Sequence, residues 1–150
     1  MMEDSVQSSA SVELTIDVRF GDTDPYGVIY CASYFRYCHH GIEEFLKGHG
    51  LAPHQVFRNR EEGFGLPIVS AACEFLKPVW YGEQMLLTVS ILSMKAKAIT
   101  FGFQFHRQDR SETVATGQAT MVAIGSDWRA RNLPERIRDA LSRGQTFTVD

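Results

Sequence analysis

The chain has 150 residues, of which 44% are hydrophobic and 22% charged, with a net charge of -3. That length fits one domain with a real core, and the phenylalanine-rich composition excludes general disorder. The charge balance gives no footprint for nucleic acid, whose binding relies on clustered Lys and Arg facing phosphates.

Residues 1–10 (MMEDSVQSSA) read as a loose tail without the apolar stretch of a secretory signal, ahead of one domain at 11–145. No apolar run approaches the roughly 20 residues of a membrane span, so a soluble, cytoplasmic protein without a membrane partner is expected. Val12, Leu14, Ile16, Val18 and Phe20 then alternate with mostly polar residues, which predicts a half-buried strand. The turn GDTDPYGVIY follows at 21–30. Ser33 is placed to cap a helix bearing Tyr34, Phe35, Tyr37, Cys38, Ile42, Phe45 and Leu46 and ended by Gly48 and Gly50. Its apolar positions cover much of the circumference, which predicts enclosure by a wrapping sheet.

A loop through Pro53 and the charged run 58–62 leads to a strand in LPIVSAACEFLK (66–77), a turn in PVWYGE (78–83) and three further strands. Ile99, Phe101, Phe103 and Phe105 give one of them a strongly apolar face. Ala115, Gly117, Ala119 and Ala123 share a face small enough for a helix to approach closely. Short connections favour antiparallel neighbours. The predicted order is β-α-β-β-β-β, with a short helix over 134–141. Leu86, Leu92 and Met94 lie opposite the Met85, Leu87, Val89, Ile91 face, so this strand is expected to bury its second side against another copy, giving at least a homodimer.

Four readings compete for Asp22 and Asp24. A polar turn is the commonest use of Asp before Pro and Gly, and periodicity alone leaves it ahead. Calcium binding fits poorly, because the twelfth position of an EF-hand-like loop would be Ser33 instead of a bidentate Glu. A catalytic carboxylate beside a helix start could act on a carbonyl whose oxygen the free helix N-H groups hold, with Asp22 supporting the turn. A Cys31 or Cys38 nucleophile with His39 or His40 is weakened by geometry, since adjacent helix residues point about 100° apart. The three cysteines, Cys31, Cys38 and Cys73, lack C-x-x-C spacing, so neither a disulfide framework nor a zinc site is indicated, and reduced thiols are expected.

The stretch DTDPYGVIY, followed by the helix and then by the L-P-I-V strand and the P-V-x-x-G-E turn, resembles the 4-hydroxybenzoyl-CoA thioesterase branch of the hotdog-fold acyl-CoA thioesterases, over about 12–124. Within the branch, the G-L-P-x-V pattern at Leu66 and the Cys38-His39 pair are most similar to the 1,4-dihydroxy-2-naphthoyl-CoA hydrolases of phylloquinone synthesis. The resemblance implies an α+β hotdog fold, an antiparallel sheet wrapped around one long central helix. It also implies a thioester hydrolase without metal or other cofactor, CoA being part of the substrate, in a homodimer or homotetramer. Carried over to this sequence, Asp24 is the catalytic carboxylate, attacking the thioester or activating a water. The backbone N-H of Cys31 polarises the carbonyl. Lys95 and Lys97 fall where relatives carry basic residues near the CoA phosphates. Tyr26 stands where relatives often have a small residue, and would narrow the acyl pocket or donate to a phenolic substrate. Glu43 and Glu44, on the helix that supplies the glutamate in another hotdog branch, read as partly exposed charges. The rivals are a thioesterase for 4-hydroxybenzoyl, short or fatty acyl groups on CoA or acyl carrier protein, a non-catalytic acyl-CoA binding module, and a structural oligomer in which both aspartates only make a turn.

Overall fold

Alternation at period two forms the first strand, but side-chain bonds end it early. In the computed structural model, which describes residues 11–143, β1 spans Val12–Asp17 with Ile16 buried, and Val18 continues its inner face. The expected extension to Phe20 is replaced by a 3-10 turn at Phe20–Asp22. There Asp22 Oδ2 accepts the Arg19 N-H at 3.1 Å and Thr23 Oγ1 donates to the Phe20 carbonyl at 2.8 Å, while Phe20 itself is exposed. The proposed tail at 1–10 and the last expected domain residues, 144 and 145, lie outside the described residues.

Helix α1 covers Cys31–Gly48, beginning two residues before Ser33, so Ser33 is not its cap; Tyr30 precedes it in extended conformation without a side-chain cap bond. Ser33, Tyr34, Tyr37, Cys38, Gly41, Ile42, Phe45 and Leu46 are buried, a single stripe at helical spacing. This stripe is the side the sheet covers, and it is narrower than the apolar positions suggest, since Phe35 faces outward with Arg36, His39 and His40. Gly50, at φ +78°, ends the helix together with the Leu51 N-H, which donates to the Leu46 carbonyl at 2.9 Å.

The segment expected as loop contains a short helix α2 (Pro53–Phe57) and two-residue strands β2 (Arg58–Asn59) and β3 (Phe64–Gly65). The long strands are β4 (Ile68–Phe75), β5 (Gln84–Met94), β6 (Ala98–Arg107) and β7 (Thr113–Val122), followed by β8 (Ile124–Gly125) and α3 (Glu135–Ser142). The main sheet has the order β1-β5-β6-β7-β4, antiparallel throughout, and β2-β3-β8 form a small second sheet. This is the α+β hotdog arrangement. Among the described residues no helix is long and apolar enough to cross a membrane.

Helix and sheet meet closely at Gly41, against β5 and not against the small residues of β7. A Cβ on Gly41 would stand 2.8 Å from Val89 Cγ2 and 3.0 Å from Leu87 Cδ2 on β5. Ala115, Ala119 and Ala123 are buried, and Gly117 backs onto Cys73 of β4. The second apolar face expected for β5 is also reduced. A register shift between Ile91 and Ser93 reverses the alternation, so Met94 joins Met85, Leu87 and Val89 in the core, leaving Leu92 exposed and Leu86 half-buried. Exposed apolar residues gather instead along the edge strand β4 and just past it, at Ile68, Val69, Phe75 and Leu76.

Candidate active site

The turn after β1 is held by the loop between β4 and β5. Ile29 N-H donates to the Val79 carbonyl at 2.9 Å and Tyr81 N-H to the Gly27 carbonyl at 3.0 Å, with the Trp80 ring beside Gly27, whose φ is +85°. Within the turn, Asp24 N-H donates to the Val28 carbonyl and Gly27 N-H to the Asp24 carbonyl, at 2.9 and 2.8 Å. The P-V-x-x-G-E segment thus braces the D-T-D-P-Y-G segment.

The two aspartates have different work. Asp22 is the clamp: its carbonyl accepts Tyr30 N-H at 2.8 Å and Ser33 Oγ at 2.9 Å, and its carboxylate accepts Arg36 Nη2 at 3.0 Å as well as the Arg19 N-H. Burial pushes this carboxyl up. The Arg19 N-H, the nearby Tyr37 hydroxyl and the Arg36 guanidinium outweigh burial and hold it below its ordinary value. The Tyr37 hydroxyl is buried and lies close to this charge without completing a hydrogen bond. Asp24 is far less engaged. Its Oδ1 accepts the Tyr26 N-H at 2.9 Å, an Asx turn, and its second oxygen accepts nothing among the described residues.

Asp24 shares a cavity of about 460 Å³ with Val28, Ile29, Tyr30, Cys31, Tyr34, Phe75, Leu76, Lys77, Pro78 and Val79. Cys31 opens α1, and because no residue caps this end, the N-H groups of Cys31 and Ala32 are without acceptors among the described residues. A half-buried carboxylate and the positive end of an 18-residue helix therefore converge on one largely apolar space. Tyr34 forms the wall, its ring 5.1 Å from those of Phe75 and Phe105, and burial pushes its phenol up to about 12, so it stays a neutral donor.

Asp24 and Cys31 are brought together; Tyr26, Lys95 and Lys97 are not part of that cavity. The Tyr26 side chain is 83% exposed. Lys95 and Lys97 lie exposed in the β5–β6 hairpin, at the opposite end of the sheet from β1's exit into the turn. Glu43 faces His39 and His40 at 3.7 Å and Glu44 pairs with Lys47, all away from the cavity. Cys38 is buried against Cys73 and neither histidine reaches it. Among the described residues no group of three or more His, Cys, Asp or Glu could hold a metal ion. Sequence reading missed Lys77, the one cation among the described residues that line the cavity, and Tyr34, which periodicity marks only as core.

Residues 18–141 match the sequence profile of the Thioesterase-like superfamily. The chain is 37% identical over 138 residues to a 1,4-dihydroxy-2-naphthoyl-CoA hydrolase from Synechococcus sp. strain WH7803, covering 87% of this chain and 88% of that one. A second hydrolase of that name, from Rippkaea orientalis, is 30% identical over 79% of this chain and 86% of its own. The crystal structure of a 1,4-dihydroxy-2-naphthoyl-CoA thioesterase from Synechocystis superposes with a TM-score of 0.80 over 87% of this chain and 95% of that one; at 23% identity it bears on the fold alone. With the carboxylate turn, the uncapped helix and four of the five strands of the main sheet (β4–β7) inside the matched span, the chain belongs to the Thioesterase-like superfamily, the hotdog thioesterases.

Proposed function

We propose that the chain hydrolyses aromatic acyl-CoA thioesters, with 1,4-dihydroxy-2-naphthoyl-CoA, a precursor in phylloquinone synthesis, as its substrate. The observation that carries the reading is the shared cavity of Asp24 and the uncapped start of α1. The thioester carbonyl oxygen turns toward the Cys31 N-H, where negative charge developing in the transition state is stabilised by the helix end. The Asp24 carboxylate either attacks the carbonyl carbon, expelling the CoA thiolate to give a mixed anhydride that water opens, or takes a proton from an attacking water. The Tyr34–Phe75 wall suits a flat ring. The reading calls for no cofactor beyond the CoA carried by the substrate. The hydrolase names of the relatives favour the naphthoyl substrate.

The same proposal makes the chain a cytoplasmic homodimer, in keeping with its three free thiols and with the exposed edge of β4. Two β4 edges pairing antiparallel about a twofold axis place one chain's Lys95 and Lys97 at the same end of the joint sheet as the partner copy's cavity, within reach of the nucleotide phosphates of an extended CoA. Pairing of dimers would give a tetramer.

The test is thioester cleavage across 1,4-dihydroxy-2-naphthoyl-CoA, 4-hydroxybenzoyl-CoA, benzoyl-CoA and palmitoyl-CoA. Preference for the naphthoyl thioester supports the reading. A fatty-acyl preference keeps the thioesterase and removes the substrate, and no cleavage of any member leaves an acyl-CoA binding module.

A further inference from the structure

We propose that Cys38 and Cys73 form an oxidisable dithiol that a hydroperoxide converts to a disulfide, and that this cross-link constricts the cavity beside Asp24. The two sulfurs, 35 residues apart in sequence, lie 4.0 Å apart between α1 and β4. A disulfide needs about 2 Å, so an approach of about 2 Å suffices. Cys38 is buried; Cys73 is half-buried and reachable by a small oxidant. Gly117 on β7 keeps the sulfur's place open, since a Cβ there would stand 2.9 Å from Cys73 Sγ. Cys31 is exposed and belongs to the cavity wall, not to this pair.

The chemistry assigns the two thiols different parts. The Cys38 thiol leans on Cys73 as a hydrogen-bond donor, which draws the Cys73 thiol below its ordinary value; that same bond, with burial, pushes Cys38 up. Cys73 as thiolate attacks one peroxide oxygen, the O–O bond breaks, and the departing hydroxide becomes water, leaving a sulfenic acid. Cys38 sulfur then attacks Cys73 sulfur, the S–O bond breaks, and hydroxide leaves with the Cys38 proton as a second water. Two thiols lose two electrons and two protons, and the peroxide is reduced to two waters.

The consequence for the cavity follows from sequence spacing. Tyr34 lies one helical turn before Cys38, and Phe75 lies two strand residues after Cys73 on the same face. Their rings pack at a tilt of 34° with centroids 5.1 Å apart, and both line the Asp24 cavity. Pulling α1 toward β4 presses this wall inward, where an aromatic acyl group would lie. That step rests on the thioesterase reading above; formation of the cross-link does not. In a reducing cytoplasm the bond is transient, returned to thiols by the cell's dithiol reductants.

The experiment treats the reduced full-length chain with hydrogen peroxide, alkylates free thiols and digests with trypsin, whose cuts after Arg36, Lys47 and Arg60 put each cysteine on its own peptide. The expected product joins the Cys38 and Cys73 peptides with the loss of two hydrogens and disappears on reduction. Thioester cleavage, followed by absorbance, should fall at least tenfold in step with the linked fraction and return with dithiothreitol. Cys73→Ser, and independently Cys38→Ser, should abolish both the link and the peroxide sensitivity. Peroxide that oxidises Cys31 or Cys73 without joining 38 to 73 overturns the dithiol. A complete link with unchanged turnover, or a Cys73→Ser enzyme that peroxide still inactivates, overturns the constriction. A reduced chain with no turnover refutes the thioesterase reading instead, and the mass of the linked peptides still decides the dithiol.

Discussion

Adding one methyl group at Gly41 tests how tightly the sheet fixes the helix that opens the site. At a solvent-facing helix position, Gly→Ala stabilises by about 1 kcal/mol. Here the new Cβ would meet Val89 Cγ2 at 2.8 Å and Leu87 Cδ2 at 3.0 Å, and both residues have 0% exposure, so neither side chain has room to withdraw. Overpacking of a filled core costs about 1–3 kcal/mol, and two contacts this short argue for the upper part of that range. The net expectation for Gly41→Ala is a loss of about 1–2 kcal/mol, or a Tm lower by about 2–8 °C in a chain of this size. Gly48→Ala is the control, because its Cβ would meet only Val12 Cγ2 at 3.4 Å, and its Tm should stay level or rise. The two variants are compared by thermal and urea unfolding. A Gly41→Ala chain that gains stability as Gly48→Ala does would refute the close approach of α1 to β5. Cys31 lies about 15 Å along the helix from Gly41, so Gly41→Ala should also lower kcat/KM more than its stability loss alone explains.

Other predictions concern the walls and the clamp. Asp22 is held below its ordinary value of 3.8 in the folded chain, so its contribution to stability is complete above that value and disappears as pH falls through the lower folded value. Wild type should therefore exceed Asp22→Asn in urea midpoint at pH 7, with the gap closing below about pH 4; a gap that widens in acid reverses the sign. Tyr34→Phe removes a neutral phenol from the cavity wall and should reduce kcat/KM up to about tenfold for hydroxylated aromatic thioesters while sparing benzoyl-CoA; equal losses on both would make Tyr34 packing alone. Val69→Lys charges the exposed β4 edge and should yield monomers in sedimentation velocity, whereas an unchanged dimer would move the interface elsewhere.

Period-two alternation located β6, because Ile99, Phe101, Phe103 and Phe105 all turn inward. The same rule misplaced Met94, since the irregularity between Ile91 and Ser93 shifts the register within a run whose residue types look continuous. Helical spacing marked the buried side of α1, but an abundance of aromatics concealed that Phe35 faces out and that Gly41 packs closely on Leu87 and Val89 of β5. Within the site, periodicity left Asp24 as a turn residue, and only the resemblance singled it out. The partners that complete the picture are distant in sequence. Arg36 reaches Asp22 from 14 residues away, and Cys73 reaches Cys38 from 35. Lys77 has no local pattern to separate it from a solvated lysine.

The central claim is tested most directly by the kcat of Asp24→Asn on 1,4-dihydroxy-2-naphthoyl-CoA, beside Cys31→Ala. The asparagine keeps an oxygen for the Tyr26 N-H and removes only the charge and its reactivity. Turnover should fall at least about a hundredfold, about 2.7 kcal/mol of transition-state stabilisation, with KM little changed. Cys31→Ala retains the backbone N-H and should lose far less. An Asp24→Asn chain that turns over within a few-fold of wild type, or a Cys31→Ala chain as inactive as Asp24→Asn, would contradict the account.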